Sequence, residues 1–302
     1  MNRRKTEKKA DEPLMAYDRQ TGAMVPQKTV AGGWMEWIYQ TKPGHLALHA
    51  VIKRKMISSI YGWYCKQRRS LSAAEKIIEQ YHIDTTPFHT PFTTYFDFFT
   101  RKLPRVQMPE DALGAWAEGY ISAWENIDPK RLIQVKGSEY DLSSLLQDEA
   151  WARRYAGGTL FRIRLAPQHY HHFHWFDNAK IGRIKDIKGA YYSVHPLAVA
   201  EIARLYCENK RRIVEAETER FGTMLLIEVG ATMIGSIVNP FQSGEKVCPG
   251  EDGGYFAPGG SMILGLFEKG AVQADQDILQ QTAQGKESIV LLGERIGIKG
   301  KL

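Results

Sequence analysis

The sequence predicts an α+β fold, in which a helical N-terminal region precedes a mostly antiparallel β body. The helical prediction rests on apolar residues that recur at spacings of three and four between about residues 34 and 102. The β prediction rests on short β-branched and aromatic runs after about residue 114, separated by glycine-containing turns. These patterns divide the chain into an N-terminal region, 1–105, and a β-rich domain, 106–302.

Composition limits the class of protein. The chain has 302 residues, of which 43% are hydrophobic and 25% charged, so a disordered or fibrous protein is excluded. No apolar run reaches the length of a bilayer-spanning helix, and the polar start of the sequence does not predict a secretory signal. The net charge of +6 favours an anionic partner, but no recognition motif for nucleic acid is present. Three dispersed cysteines without a CxxC pair fit a reducing cytoplasm.

The N-terminal region contains a basic amphipathic segment. Residues 1 to about 30 are weakly patterned and predict a partly loose arm. Between Lys42 and Arg69 there are seven Lys or Arg and no acidic residue. A helix of this kind is typical of membrane surfaces, but it is also typical of a helix that packs on its own core with a solvated basic face. Periodicity alone favours the second interpretation. One helix face carries Leu48, Ile52, Met56, Ile60 and Trp63.

Further elements follow from local signals. Ser72 with Glu75 three residues later predicts a capping box at the start of a helix that ends near Tyr81. The aromatic run 95–99 is expected in a core. A helix is predicted from Pro196 to about Arg212. Strands are predicted at 159–165, 224–229, 232–238 and 261–267.

Four of the nine histidines fall within six residues, at positions 169, 171, 172 and 174. Such a cluster is compatible with a bound metal, or with one or two histidines acting as acid or base. The residues alone leave both interpretations open. The turn Gly259-Gly260-Ser261 matches neither a phosphate-binding loop nor a nucleophile elbow.

A series of short motifs runs in a fixed order along most of the chain, from about Ala16 to the C-terminus. They are Tyr17–Gly22, Ile60–Cys65, Phe96–Leu103, Leu132–Gly137, Leu165–His174, Lys188–Leu197, Glu228–Thr232, Gly235-Ser236 and Gly254–Ser261. Each motif is weak alone, but the ordered series is specific. It resembles the phosphatidylserine decarboxylase family, in particular the bacterial branch with a Gly-Gly-Ser cleavage site.

The resemblance implies a self-cleaving, pyruvoyl-dependent enzyme. Ser261 Oγ attacks the Gly260 carbonyl, and cleavage between the two residues gives chains 1–260 and 261–302, which stay together as a heterodimer. Ser261 becomes the pyruvoyl cofactor. His174 is the implied base for self-cleavage, with Glu118 in the place of its acidic partner, and His171 is the implied acid that returns a proton to substrate.

The resemblance also implies partners and a location. Phosphatidylserine and an anionic membrane surface are the expected partners of the peripheral, basic segment 34–69, at the cytoplasmic face of the cell membrane. Self-association is a further expectation. Neither a metal ion nor nucleic acid is expected, since the ordered motifs displace the metal interpretation.

The sequence departs from the family pattern at four positions. Glu118 and His169 replace aspartates, His172 replaces an arginine, and Met262 follows the serine where threonine is common. These departures motivate an alternative, a lipid-binding relative that never cleaves itself. A metal-dependent hydrolase that uses the histidine cluster is a less favoured alternative. If the family pattern decides, a Glu118→Asp chain should process at least as well as its parent.

Overall fold

The structure is a computed structural model of the chain. It describes residues 14–27, 37, 41, 43–44, 55–130, 134–135, 138–139, 141–190, 192, 205–230, 237–258 and 261–301. Among these residues, no helix combines the length and the apolar character needed to span a bilayer.

The described helices are short and lie mainly before residue 155. They are α1 Lys55–Cys65, α2 Leu71–Tyr81, α3 Tyr95–Phe99, α4 Leu142–Leu146, α5 Glu149–Arg154, α6 Leu205–Glu208 and α7 Gln276–Ala283, with a 3₁₀ turn at Arg68–Ser70.

Strands make up most of the rest of the described chain. They are β1 Met15–Asp18, β2 Ala23–Pro26, β3 Leu113–Gly114, β4 Gly119–Trp124, β5 Gln134–Val135, β6 Ser138–Glu139, β7 Thr159–Leu165, β8 His172–His174, β9 Ala179–Ile187, β10 Arg211–Thr218, β11 Gly222–Val229, β12 Ile237–Val238, β13 Lys246–Val247, β14 Asp252–Phe256, β15 Ser261–Phe267, β16 Val272–Ala274, β17 Glu287–Val290 and β18 Arg295–Lys299.

Ten strands form one sheet, in the order β13-β9-β10-β11-β15-β7-β4-β17-β1-β2. The described pairs are antiparallel except β1 with β17. Strand β15 lies in the interior of this sheet, between β11 and β7, with Ser261 opposite Leu165. The prediction of a mostly antiparallel β body is therefore confirmed.

The two faces of the ten-stranded sheet bury different clusters. One face packs Ile163, Leu226 and Ile263 against Phe173 and Phe256 of a small sheet, β12-β14-β8. The opposite face packs its side chains against α4 and α5. Because side chains alternate along a strand, Ser261 shares the first face with Ile263. The gap between the large sheet and β8 is where the candidate site forms.

A separate helical cluster lies beside this gap. It buries Cys65 of α1, Ile77 of α2 and Phe98 and Phe99 of α3 in one apolar group. The backbone N–H of Tyr95 donates to Ser70 Oγ at 2.9 Å, which joins α3 to the start of α2. The run 95–99 is therefore a short helix with core aromatics.

Several local predictions are wrong. Residues 15–26 form a hairpin on the edge of the large sheet, where β1 pairs with β17, so the predicted loose arm does not extend through them. Helix α2 begins at Leu71 because it continues directly from the 3₁₀ turn, and Ser72 lies inside its first turn instead of capping it.

The predicted helix 196–212 ends earlier, at Glu208. Arg211 and Arg212 belong to β10, where they pair with β9 and β11. The buried Arg211 guanidinium donates to the carbonyls of Ser144 and Leu145, and this tertiary contact fixes the strand.

The strands predicted at 159–165 and 261–267 have the expected bounds, and β11 extends the predicted 224–229 by two residues. Of the predicted strand 232–238, only 237–238 lie within the described residues, and most of the predicted helix before Leu205 lies outside them. The division of the chain near residue 105 stays a prediction.

Candidate active site

Ser261 opens β15 and is fully buried. Its Oγ lies 2.9 Å from Nδ1 of His171, a residue 90 positions earlier in the chain. His171 comes directly before β8, and its backbone carbonyl accepts from the N–H of Phe256 in β14. The small sheet thus holds the imidazole against the serine at the entrance of the central strand.

The hydrogen bonds of His171 fix its tautomer. Nε2 lies 3.1 Å from the Ala166 carbonyl, which can only accept, so Nε2 carries the proton. Nδ1 is then free to accept from the Ser261 hydroxyl. Burial, followed by the charges of Arg101 and His169, holds the pKa of His171 well below its usual range. A neutral imidazole bonded to a hydroxyl in this way is the arrangement of a general base.

The ring of His171 is also held from one side. The Phe99 ring stacks on it with centroids 3.7 Å apart. Arg101 donates from Nη2 to the Gln168 carbonyl at 3.2 Å, and the Leu103 N–H donates to the Tyr170 hydroxyl at 3.0 Å. The segment after α3 therefore braces the turn that carries the histidine.

The structure does not bring His174 to Ser261. The His174 Nδ1–H donates to the Gly250 carbonyl at 2.9 Å, and Nε2 accepts from the Tyr170 hydroxyl at 3.1 Å. Both ring nitrogens are satisfied without the serine. The assignment of His174 as the base on Ser261 therefore has no support in these contacts, which favour His171 for that role.

The Glu118 side chain bonds to the backbone of the turn that carries His171, and not to a histidine ring. Its Oε1 accepts from the Tyr170 N–H at 2.7 Å. Burial raises the pKa of Glu118, although the Tyr170 N–H and the charge of Arg101 lower it. No described hydrogen bond joins Glu118 to a histidine, so the implied pairing with His174 is replaced by support of the backbone between His169 and His171.

A Glu118→Asp chain is therefore expected to cleave itself more slowly than the parent, contrary to the expectation from the family pattern. The shorter side chain withdraws its carboxylate from the Tyr170 N–H, and a lost hydrogen bond of this kind costs roughly 1–3 kcal/mol. The rate of cleavage in a time course on denaturing gels measures the effect. Glu118→Gln, which keeps the reach, is the matched control. Equal rates for Glu118→Asp and the parent would show that the length of the acid does not position the turn.

Two of the four departures from the family pattern keep the local contacts satisfied. His169 Nδ1 accepts from the Ala166 N–H at 3.0 Å, as a carboxylate could at that position. His172 faces Asp252 Oδ1 at 3.0 Å through Nδ1 and the Thr100 carbonyl at 3.1 Å through Nε2. The clustered histidines thus have separate partners, and no group of three or more potential metal ligands occurs among the described residues.

Sequence reasoning missed Arg101 and Tyr170. Arg101 is 5% exposed and its guanidinium packs over the rings of Phe88 and Phe98. Tyr170 links Glu118, His174 and the segment after α3. Both residues stand inside matching motifs, so position in a motif was the available signal. Gly260 lies outside the described residues.

Known proteins similar to this chain decide the family. The family model for phosphatidylserine decarboxylase matches residues 93–298, which include every site residue described above. The chain belongs to the phosphatidylserine decarboxylase family. The resemblance found in the sequence motifs is thereby confirmed.

Three relatives match this chain over nearly its full length and nearly the full length of their own chains. Each is named phosphatidylserine decarboxylase proenzyme. The protein of Ruminiclostridium cellulolyticum is 41% identical over 94% of this chain and 97% of its own. The protein of Clostridium novyi is 40% identical over 95% of this chain and 99% of its own. The protein of Desulfitobacterium hafniense is 37% identical over 94% of this chain and 98% of its own.

Proposed function

We propose that this protein cleaves itself between Gly260 and Ser261 and then decarboxylates phosphatidylserine to phosphatidylethanolamine and CO₂. The observation that carries the proposal is the 2.9 Å contact between Ser261 Oγ and a neutral His171, in a member of this family. The name proenzyme, which the relatives share, supports synthesis as a precursor.

Self-cleavage uses groups that the chain itself supplies. His171 takes the Ser261 hydroxyl proton as Oγ bonds to the preceding carbonyl carbon, the C–N bond breaks, and the freed nitrogen gains a proton. The ester then loses the Ser261 Cα proton, and its Cβ–O bond breaks with the carboxylate of residue 260 as leaving group. The product is an enamine, which gains a proton at Cβ and loses one from nitrogen to become an imine. Water hydrolyses the imine and releases ammonia, which leaves a ketone at the new N-terminus.

The residues fit the pyruvoyl group that the family implies. Ser261 is fully buried, and a histidine nitrogen already lies within hydrogen-bond distance of its reactive oxygen. When present, a pyruvoyl group supplies the electron sink that decarboxylation of an amino acid requires. The residues around it exclude water, and His171 is placed to hold a proton close to position 261.

Intact mass spectrometry of freshly purified protein tests the proposal. Two chains divided between residues 260 and 261, with the second blocked by pyruvoyl, are expected, together with CO₂ release from vesicles that contain phosphatidylserine. A Ser261→Ala chain is expected to stay whole. A parent chain that also stays whole, but binds phosphatidylserine, would support the alternative of a non-processing lipid-binding protein, which the replacement at Glu118 motivates.

We also propose that the basic segment 34–69 docks on an anionic bilayer at the cytoplasmic face of the cell membrane. Most of its residues before Lys55 lie outside the described residues, and residues 55–69 belong to the helical cluster. Helix α1 exposes Ile60 and Trp63 to 57% and 59%, and the Arg69 guanidinium lies over the Trp63 ring. Exposed apolar and aromatic side chains next to basic ones are typical of membrane-surface helices. The same cluster contains Phe99, which stacks on His171, so docking would bring lipid close to the site.

Vesicle flotation measures this docking. Trp63→Ser and Ile60→Ser are expected to reduce binding to phosphatidylserine vesicles several-fold, because each removes an exposed apolar group. Ile298→Ser, which changes an exposed residue on β18, is the matched control. Equal binding of the parent to neutral and anionic vesicles would contradict an electrostatic contribution.

A further inference from the structure

A cavity of about 320 Å³ lies beside α3, between the segment before the helix and the segment after it. Arg101 and Lys102, which follow α3, are among the residues that line it, and so is Phe92. The Phe92 ring packs edge-on against Phe98 of the helical cluster, with centroids 5.7 Å apart. Sites for small molecules have volumes of roughly 300–1,000 Å³, so this cavity has room for a small polar ligand.

Arg101 contributes a buried positive charge to this cavity. The residue is 5% exposed, and among the described residues it donates only to the backbone carbonyls of Phe98 and Gln168. Its Nε is buried and has no hydrogen-bond partner among them. Burial lowers the pKa of Arg101, although the charge of Glu118 acts in the opposite direction. A buried charge without an ion-pair partner costs free energy, and an anion in the cavity would reduce that cost.

Lys102 adds a second positive charge to the same cavity. Its side chain is 61% exposed, and its Nζ pairs with Asp252 at 2.8 Å. An ion pair with an exposed lysine contributes little to stability, and Asp252 also accepts from the Gly254 N–H, so Nζ can turn to a bound anion. Among the described lining residues the acidic one is Asp97, which already accepts from the N–H and the hydroxyl of Thr93. The lining therefore favours an anion.

We propose that Arg101 and Lys102 bind the phosphodiester of the phosphatidylserine headgroup in this cavity. This inference rests on the decarboxylation proposed above, because it assigns a position to part of that substrate. Guanidinium and ammonium groups are common partners of phosphate oxygens, and Arg101 has donors beyond the two that hold the carbonyls. Arg101 lies two residues after Phe99, whose ring stacks on His171. The phosphate would thus be held next to the segment that braces the base, beside the cluster proposed to dock on lipid.

Binding of a soluble headgroup tests this site without a bilayer. The Ser261→Ala chain, which is expected to stay whole, removes turnover from the measurement. Glycerophosphoserine, inorganic phosphate and free serine are each titrated into this chain by calorimetry. Arg101→Met and Lys102→Met, made in the same background, each remove one positive charge. Lys246→Met, at an exposed position of β13, is the matched control, and circular dichroism confirms the fold of each chain.

Glycerophosphoserine is expected to bind more tightly than inorganic phosphate, and free serine is expected not to bind. Arg101→Met should weaken binding of the diester by roughly 10- to 100-fold, because charge-assisted hydrogen bonds are lost, and Lys102→Met by several-fold. Lys246→Met should bind like its background. Unchanged affinity in Lys102→Met and in a folded Arg101→Met would overturn the proposal; if Arg101→Met does not fold, Lys102→Met decides alone. Inorganic phosphate that binds as tightly as the diester would assign the cavity to free phosphate instead.

CO₂ release by the parent separates the failure of this site from the failure of the proposed function. A parent that decarboxylates phosphatidylserine, beside a Ser261→Ala chain that does not bind glycerophosphoserine, would overturn the headgroup site alone. A parent that stays whole and releases no CO₂, beside a Ser261→Ala chain that binds the diester through Arg101 and Lys102, would overturn the decarboxylation. The headgroup site would then belong to a lipid-binding protein.

Discussion

His171→Ala is expected to yield a folded precursor that remains uncleaved over the time in which the parent processes fully. The substitution removes the only described group that bonds to Ser261 Oγ, and a general base contributes about 10²–10⁴-fold to a rate. The ring is positioned from two sides, by the Ala166 carbonyl and by the Phe99 stack. Without a base, the Ser261 hydroxyl is expected to attack the preceding carbonyl very slowly.

His174→Ala is the informative comparison, because the family resemblance implies this histidine as the base. Its two hydrogen bonds go to Gly250 and to the Tyr170 hydroxyl. Loss of the ring is therefore expected to destabilise the fold, by roughly 1–3 kcal/mol for each buried group left unpaired, with a smaller effect on cleavage than His171→Ala. Cleavage time courses and urea unfolding of both variants, with His89→Ala as an exposed control, separate the two effects.

The opposite result for the two histidine variants would support the role of His174 that the family resemblance implies. An uncleaved His174→Ala chain beside normal processing in His171→Ala would show that His174, and not His171, is the base for self-cleavage. The pH dependence gives a second test. Because the pKa of His171 is held low by burial, the neutral base persists as pH falls through the ordinary histidine range. Cleavage should thus be lost only at lower pH.

The sequence predicted the body of the fold because the signals there are local. Strand 159–165 alternates apolar and basic residues, and its pleat places them on opposite faces of one sheet. The hairpin 15–26 has no such signal. Its position depends on β17 and on Arg19, which binds Asp275, Asp277 and Glu294 more than 250 residues later.

The residues of the site could be predicted from the sequence, but the contacts between them could not. The motifs identified Ser261 and the histidine cluster. Which histidine meets the serine depends on where the turn before β8 crosses the start of β15, and no periodicity encodes that crossing.

The two chains are expected to stay together after cleavage, because strands of the second chain lie within the sheet of the first. Segment 261–302 supplies β15, which is hydrogen-bonded to β11 and β7, and β17, which lies between β4 and β1. Removing such strands would expose the core on both faces. We therefore expect the cleaved chains to copurify and to separate only on unfolding.

Glu287 of β17 is a buried polar link between those chains. Its carboxylate accepts from Arg162 Nη2 at 3.1 Å, from Arg164 Nη2 at 2.6 Å and from Gln27 Nε2 at 3.0 Å, and its side chain is only 12% exposed. Burial alone would raise the pKa of Glu287, but the charges of Arg164 and Arg162 outweigh it and the pKa is lowered. Both arginines lie in β7, on the other side of the cleavage site.

Glu287→Gln is expected to destabilise the protein by about 3–5 kcal/mol, because it removes a negative charge that two buried guanidinium groups share. Urea unfolding in the uncleaved Ser261→Ala background measures this loss, and Glu217→Gln, at an exposed position of β10, is the control. Since the folded pKa is lowered, the contribution is complete above the ordinary carboxylate range and is lost as pH falls toward the lowered pKa. The difference in the free energy of unfolding between the Glu287→Gln chain and its Ser261→Ala background should therefore decrease at acid pH. A loss below about 1 kcal/mol at neutral pH, the value typical of surface pairs, would show that solvent screens this cluster.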